Sequence, residues 1–324
     1  RCEHSKTFKI KDSRNIKLLW RIDWPMRWDY ENVDFEPGGK DHSSDGGSYD
    51  TGSQIMRQLW GKEPPEYLQY DFVMIKGGAG KMSSSSGELF TLNEVMEVYE
   101  PQIVRWIFSS HRPNHDFALA FDEDVIKAYE EFDRSEKLAF SAESSSSKWK
   151  QNRRTYELSM VSEVIPEHQP RRPAFRQLCD HLQICDNDIK RTFEKFYKPE
   201  AQVRYKDFEL RAKRASLWLE KHAPKEFCYS INSGVSTSFD SQLEENIFNH
   251  MVEFIESIDL DSLEPKQISD LIYEKIIHPI DAEPKQIFEV IYEQLINRKR
   301  GPRLPNFLKE IGTAKLKNIF RKKL

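Results

Sequence analysis

The sequence predicts an α/β segment followed by an all-α one. Three observations carry this. Residues 1–75 read as strand, loop, helix and strand, the order that half of a doubly wound sheet would give. Beyond about residue 90, apolar residues recur at three- and four-residue spacing, the period of amphipathic helices. From Lys148 onward almost everything keeps that period and no convincing strand pattern occurs.

Taken in order, Ile16-Lys17-Leu18-Leu19-Trp20 begins like a buried strand, with a turn expected at Pro25. Residues 33–52 are rich in Gly, Ser and Asp and read as a loop. A helix is expected to start near Ser48–Thr51 and to end at Gly61, a residue suited to the position just past a helix. Tyr67 to Ile75 is aromatic and β-branched and reads as a strand. Residues 91–110 and 122–140 read as amphipathic helices, and the small polar stretch Ser141 to Ser147 as a linker. An internal repeat follows. Glu264-Pro265-Lys266-Gln267-Ile268 recurs as Glu283-Pro284-Lys285-Gln286-Ile287, with proline where a first helical turn tolerates it. Ile268, Leu271, Ile272 and Ile276 share one face, as do Ile287, Val290, Ile291 and Leu295. Two similar helices stacking those faces are expected.

Bulk properties exclude some classes. No apolar run reaches the roughly 18 residues of a membrane span. The four cysteines, Cys2, Cys179, Cys185 and Cys228, form no repeated close pairs, which points to a reducing cytosol rather than a disulfide framework. The net charge of -4 does not advertise nucleic acid. Its distribution does more: from Arg298 to Leu324 ten Lys/Arg face one acid, Glu310. Such a patch attracts phosphate backbones through counterion release, or is a solvated basic tail.

The richest stretch is Ile75 to Glu88. Gly77, Gly78 and Gly80 precede Lys81, Met82 and four serines, directly after a strand, where phosphate loops of α/β sheets sit. Glycines let backbone N–H groups approach an anion, serine hydroxyls add donors, and Lys81 adds a point charge. It is not a Walker A loop, because the lysine precedes the serines with Met82 next.

Lys81-Met82-Ser83-Ser84-Ser85 resembles the KMSKS signature of class I aminoacyl-tRNA synthetases, in the variant of class I lysyl enzymes. Ser84 stands at the second lysine of that signature, and Ser86 where a further lysine often follows. Trp20 to Trp28 with Val33 to Gly52 resembles the second half of the class I lysyl Rossmann-type domain, and residues 298–312 resemble the family's closing segment. The resemblance implies three parts: the C-terminal half of a Rossmann-type catalytic domain over 1–75, the KMSKS loop and a helical stem-contact region over 76–147, and an all-helical anticodon-binding domain over 148–324.

It also implies the chemistry. Lysine and ATP, with Mg2+, give lysyl-adenylate and pyrophosphate, and the lysyl group passes to the 2′-OH of tRNA(Lys). Lys81, Ser83, Ser84 and Ser85 would be catalytic. Gly39, Asp41, Lys81 and Met82 would bind ATP, with Asp41 on a ribose hydroxyl. Trp20, His42 and Tyr70 would surround the substrate lysine, and Trp24 and Trp28 would pack. Arg300 and Arg303 are candidates for tRNA phosphates or for packing the last helices. Tyr156, Phe175, Tyr197, Tyr205, Trp218 and Tyr229 are candidates for stacking on anticodon bases, most of them better suited to a core. Cys2 and His4 are a zinc half-site that only a longer protein would complete, so no zinc is expected on this chain. His111 and His115, with Pro113 between them, form no helical pair. A cytoplasmic translation enzyme is implied. A His-x-Gly-His motif of the first Rossmann strand does not occur, so the chain alone is expected to be an inactive fragment. A non-catalytic tRNA-binding module and a related acyl-adenylate-forming nucleotidyl transferase stay open.

Overall fold

A computed structural model of the chain describes residues 5–14, 16–78, 90–142, 145–161, 165–197, 204–234 and 239–320. It divides into two compact units: residues 1–89 with 110–119, and residues 90–109 with 120–324. The boundaries expected at 75/76 and 147/148 differ from this division.

In the first unit, α1 (Trp20–Glu31) stands where a strand and a turn are expected. The apolar positions explain the helix. Trp24, Pro25 and Trp28 fall on one buried face, whereas Leu18 and Leu19 are exposed and have no strand to pair with. Pro25 lies inside the helix at its sixth position of twelve, where it lacks the N–H that would bond back to the preceding turn. Asn32, in the left-handed conformation at φ 50, ends the helix by returning its N–H to the carbonyls of Asp29 and Trp28.

The expected helix is α2 (Ser48–Trp60), and Gly61 caps it at φ 64, as read from the sequence. Its Gly52 lets α1 close in: a Cβ there would stand 3.2 Å from the Trp28 ring. Trp24, Trp28 and Met56 form the core between these helices. The stretch read as one strand is two, β2 (Glu66–Tyr70) and β3 (Val73–Ile75). β2 pairs in parallel with β1 (Phe35–Gly39), a strand inside the expected loop, placing Gly39 opposite Tyr70. β3 pairs in parallel with β4 (Phe117–Leu119), between the two stretches expected to be amphipathic helices. β1–α2–β2 is thus a parallel crossover unit, the building block of a doubly wound sheet.

The second unit is helical. α3 (Leu92–Val98) opens on a capping box, Thr91 and Glu94 each bonding the other's backbone N–H. The helix breaks before Pro101 and resumes as α4 (Pro101–Ser110). α5 (Asp124–Ala139) and α6 (Ser147–Ser159) follow. Across the expected linker the two are tied: Asn152 Nδ2 donates to the Ser135 carbonyl at 2.9 Å, and Arg153 Nη1 to that of Ala139 at 2.9 Å. Then come α7 (Phe175–Ile184), α8 (Ile189–Phe196) and α9 (Tyr205–Lys221). Arg211 of α9 is fully buried and forks to three elements. It donates to Glu100 Oε1 at 2.5 Å, to both carboxyl oxygens of Asp133 at 2.9 Å, and to the Pro173 carbonyl at 2.8 Å. Burial works against its charge, but Glu100 and then Asp133 outweigh that and hold the guanidinium protonated.

The last part comprises α10 (Gln242–Ser257), α11 (Pro265–Ile272) with a π-helical turn Tyr273–Ile277, α12 (Pro284–Ile296), α13 (Leu304–Ile311) and α14 (Thr313–Ile319). Both repeats start helices with proline in the first turn. Ile268, Ile272, Ile276, Ile287, Ile291 and Leu295 are buried in one shared core. The expected stacking of the pair on each other is not the main contact. α11 packs chiefly on α13 and α12 on α10.

Candidate functional site

The turn after β1 is built by close approaches that only glycine allows. A Cβ on Gly38 would stand 2.1 Å from the Tyr67 hydroxyl. Tyr67 cannot easily yield, since its ring stacks on Tyr49 with centroids 3.9 Å apart and its hydroxyl lies 2.8 Å from Ser43 Oγ. Ser43 Oγ in turn donates to the Gly39 carbonyl at 3.0 Å. A Cβ on Gly39 would be 2.9 Å from Asp41 Oδ1 and 3.7 Å from the Tyr70 ring. So the bare backbone of Gly39 is met from one side by Asp41 and from another by Tyr70. Lys40 points away and pairs with Asp71 at 2.8 Å. That hydrogen bond raises the Lys40 ammonium above its usual range and lowers the Asp71 carboxyl below its own.

Beside this turn lie stacked aromatics. Trp20 stacks on Trp24 with centroids 5.1 Å apart, and His42 sits 6.3 Å from Trp20 and 5.7 Å from Trp24, edge-on to the latter. Trp24 and Trp28 are buried, as expected of packing residues, whereas Trp20 and Tyr70 are about half exposed. The fold therefore groups Trp20 with His42, and Tyr70 with Gly39 and Asp41. The 39–42 segment joins the two groups at the carboxyl ends of β1 and β2, where open α/β sheets take ligands. Exposed ring faces can hold a cation, and a carboxylate beside bare backbone can hold hydroxyls. Sequence reading missed how Tyr49, Tyr67 and Ser43 brace Gly38 and Gly39. The visible signal was the glycine pair itself, which demands a bulky neighbour.

Lys81, Met82, Ser83, Ser84 and Ser85 lie outside the described residues, as do Cys2 and His4. The chain enters that stretch through Gly77 at φ 80, after Lys76 N donates to the Leu119 carbonyl at 2.8 Å. Among the described residues no three His, Cys, Asp or Glu side chains are grouped to hold a metal, and no helix is long and apolar enough to cross a membrane. His111 follows the end of α4 and stacks on Phe117 at 4.5 Å.

Arg300 and Arg303 lie in the second unit, on the rim of a cleft of about 770 Å³ together with Arg176 and Arg298. Tyr229 lines the same cleft. Of the other aromatics named as stacking candidates, Tyr156, Phe175 and Trp218 are fully buried, Tyr197 is buried, and Tyr205 is partly exposed. The acidic partners in the cleft, Asp180 among them, were not visible from sequence, because they come from helices far apart in the chain.

The family described as tRNA synthetases class I (K) matches residues 1–162, half of the chain. A lysine–tRNA ligase of Borreliella burgdorferi is 38% identical, over 99% of this chain and 61% of its own length. One from Pyrococcus furiosus is 37% identical, over 94% of this chain and 58% of its own length. One from Streptomyces coelicolor is 45% identical, over 41% of this chain. The chain spans less than two thirds of the length of the curated relatives it matches first. With a parallel crossover unit ending on a glycine–aspartate turn and a family match across its first half, the chain belongs to the class I (K) tRNA synthetases.

Proposed function

We propose that this chain is part of a lysine–tRNA ligase. ATP and lysine give lysyl-adenylate and pyrophosphate, and the lysyl group then moves to the 2′-OH of the terminal adenosine of tRNA(Lys). The observation that carries this is the aromatic turn at the ends of β1 and β2, where Trp20 lies by His42 and Tyr70 by Gly39, beside Asp41. The names of the relatives point the same way.

In this reading the lysine ammonium lies against the Trp20 and Tyr70 rings, each face contributing about 0.5–2 kcal/mol, with His42 as a polar partner. Asp41 accepts from a ribose hydroxyl and Gly39 lets the nucleotide close on the backbone. Lys81 draws out the pyrophosphate, helped by the serines and backbone of residues 82–85, with the charge of Mg2+ brought on the ATP phosphates. Residues 148–324 form the tRNA-binding part, Arg300 and Arg303 contacting phosphates. Cys2 and His4 supply two of four ligands to a structural zinc in a longer chain.

Aminoacylation by the intact gene product tests this. Charging of tRNA with lysine, and not with other amino acids, is expected. Adenylate formation without transfer to tRNA would favour the nucleotidyl transferase alternative. The 324-residue chain by itself is expected to give no lysine-dependent ATP–pyrophosphate exchange while retaining RNA binding. Exchange by that chain would refute the expectation.

A further inference from the structure

The cleft lined by Arg300 and Arg303 also holds an acid that the proposed function leaves unused. Asp180 of α7 lines it. The Tyr229 hydroxyl lies 3.3 Å from Asp180 Oδ1, and among the described residues no donor is recorded on Oδ2. The charged surroundings can be taken element by element. From its own helix comes Arg176, already paired at 3.3 Å with Glu130 of α5. From α13 comes Glu310, whose carboxylate stands 3.2 Å from His181 Nε2. Lys195 of α8 spends its ammonium on the carbonyls of Glu310 and Ile311, at 2.6 and 3.2 Å. Glu226, Arg298, Arg300 and Arg303 complete the charged lining, and Cys179 beside Asp180 is buried and held as the thiol. Burial first and Glu310 second push the Asp180 carboxyl up to about 7, against Tyr229 and Arg176.

The chemical consequence is specific. A neutral carboxylic acid offers a donor and an acceptor side by side, whereas a carboxylate only accepts. The Watson–Crick edges of uracil, adenine and cytosine each set an acceptor next to an N–H, so only the acid form matches them in two bonds. In the same lining Arg298, Arg300 and Arg303, outnumbering Glu226 and Glu310, supply the charge that flanking phosphates need. Unpaired RNA bases, once splayed from a stack, are read through their edges. The cleft's volume of about 770 Å³ lies in the range of clefts that take small ligands, with room for a base.

We infer that this cleft takes a single unpaired base of an RNA strand, and that Asp180 reads the base edge as a carboxylic acid, so that binding takes up a proton. The inference rests on the tRNA reading above but adds a specificity-determining residue and a proton to it.

The test uses the 324-residue chain and a hairpin RNA with an unpaired uridine loop, its affinity followed by fluorescence anisotropy at fixed salt. Wild type is expected to bind about tenfold more weakly at about pH 8 than at about pH 6, since above the Asp180 midpoint each tenfold drop in proton concentration removes a tenfold share of the binding form. Asp180→Asn, permanently neutral with one donor and one acceptor, is expected to bind equally at both. Tyr229→Phe removes a bond that lowers the Asp180 midpoint, so the fall in affinity should move to higher pH. Arg300→Ala with Arg303→Ala should weaken binding alike at both pH values and flatten its salt dependence. If wild type shows no pH dependence, or Asp180→Asn keeps it, the inference is overturned while the tRNA reading stands. If the double arginine variant binds as wild type, the placement of RNA in this cleft fails with it.

Discussion

Gly38 shows how much of the candidate site depends on one absent atom. Any Cβ there meets the Tyr67 ring, itself fixed by Tyr49 and Ser43. Gly38→Ala is therefore expected to destabilise the protein by about 1–3 kcal/mol, the usual cost of overpacking, read as a lower thermal midpoint. An unchanged midpoint would mean Tyr67 swings aside freely. In the proposed function Lys81 is a residue of a different kind, acting on charge that moves. Lys81→Ala in the intact enzyme is expected to slow lysine activation by about 10²–10³-fold while raising the KM for ATP far less. Equal losses in both would show ordinary binding instead. At this scale the sequence was informative where chemistry restricts residue type. The Gly-Gly-Lys-Asp-His run and the pairing of Trp20 with His42 were legible; the bracing by Tyr49 and Tyr67 was not, because it depends on which side chains the crossover brings together.

Elements were legible in proportion to their own signals. α2 shows its boundaries in Ser48 and Gly61, and the two Glu-Pro-Lys-Gln-Ile starts announce helices. β1 could not be seen, since Phe-Glu-Pro-Gly-Gly has low strand propensity and becomes a strand only by pairing with β2. α1 was hidden because an apolar run ahead of a proline looks like a strand leading to a turn, while the burial of Trp24 and Trp28 decides for a helix. Among elements, the junction of α4, α5 and α9 rests on Arg211. Arg211→Met would leave Glu100, itself buried, without that cation and is expected to cost about 3–5 kcal/mol, seen as a lower denaturant midpoint. A loss below about 1 kcal/mol would show that Arg172, at 3.4 Å from Glu100, takes over.

For the molecule as a whole, stability and binding share one titrating group. The folded state holds a proton on Asp180 up to about 7, whereas an unfolded aspartate loses it near 3.9. Because the folded pKa is the higher, this contribution to stability is complete below about pH 4 and is lost as pH rises to about 7. Asp180→Asn is expected to remove that decline in the unfolding free energy; a variant with the same decline would place the titration elsewhere. The two compact units divide the work in the proposed function. The first carries the aromatic turn of a class I (K) synthetase, and the second the arginine cleft. If the turn selects lysine, lysine-dependent ATP–pyrophosphate exchange by the intact gene product shows it. Exchange is expected with lysine, with the KM for lysine raised by about tenfold or more in Trp20→Ala and His42→Ala and the KM for ATP little changed. Exchange driven by another amino acid, or an unchanged KM for lysine in both variants, would contradict it.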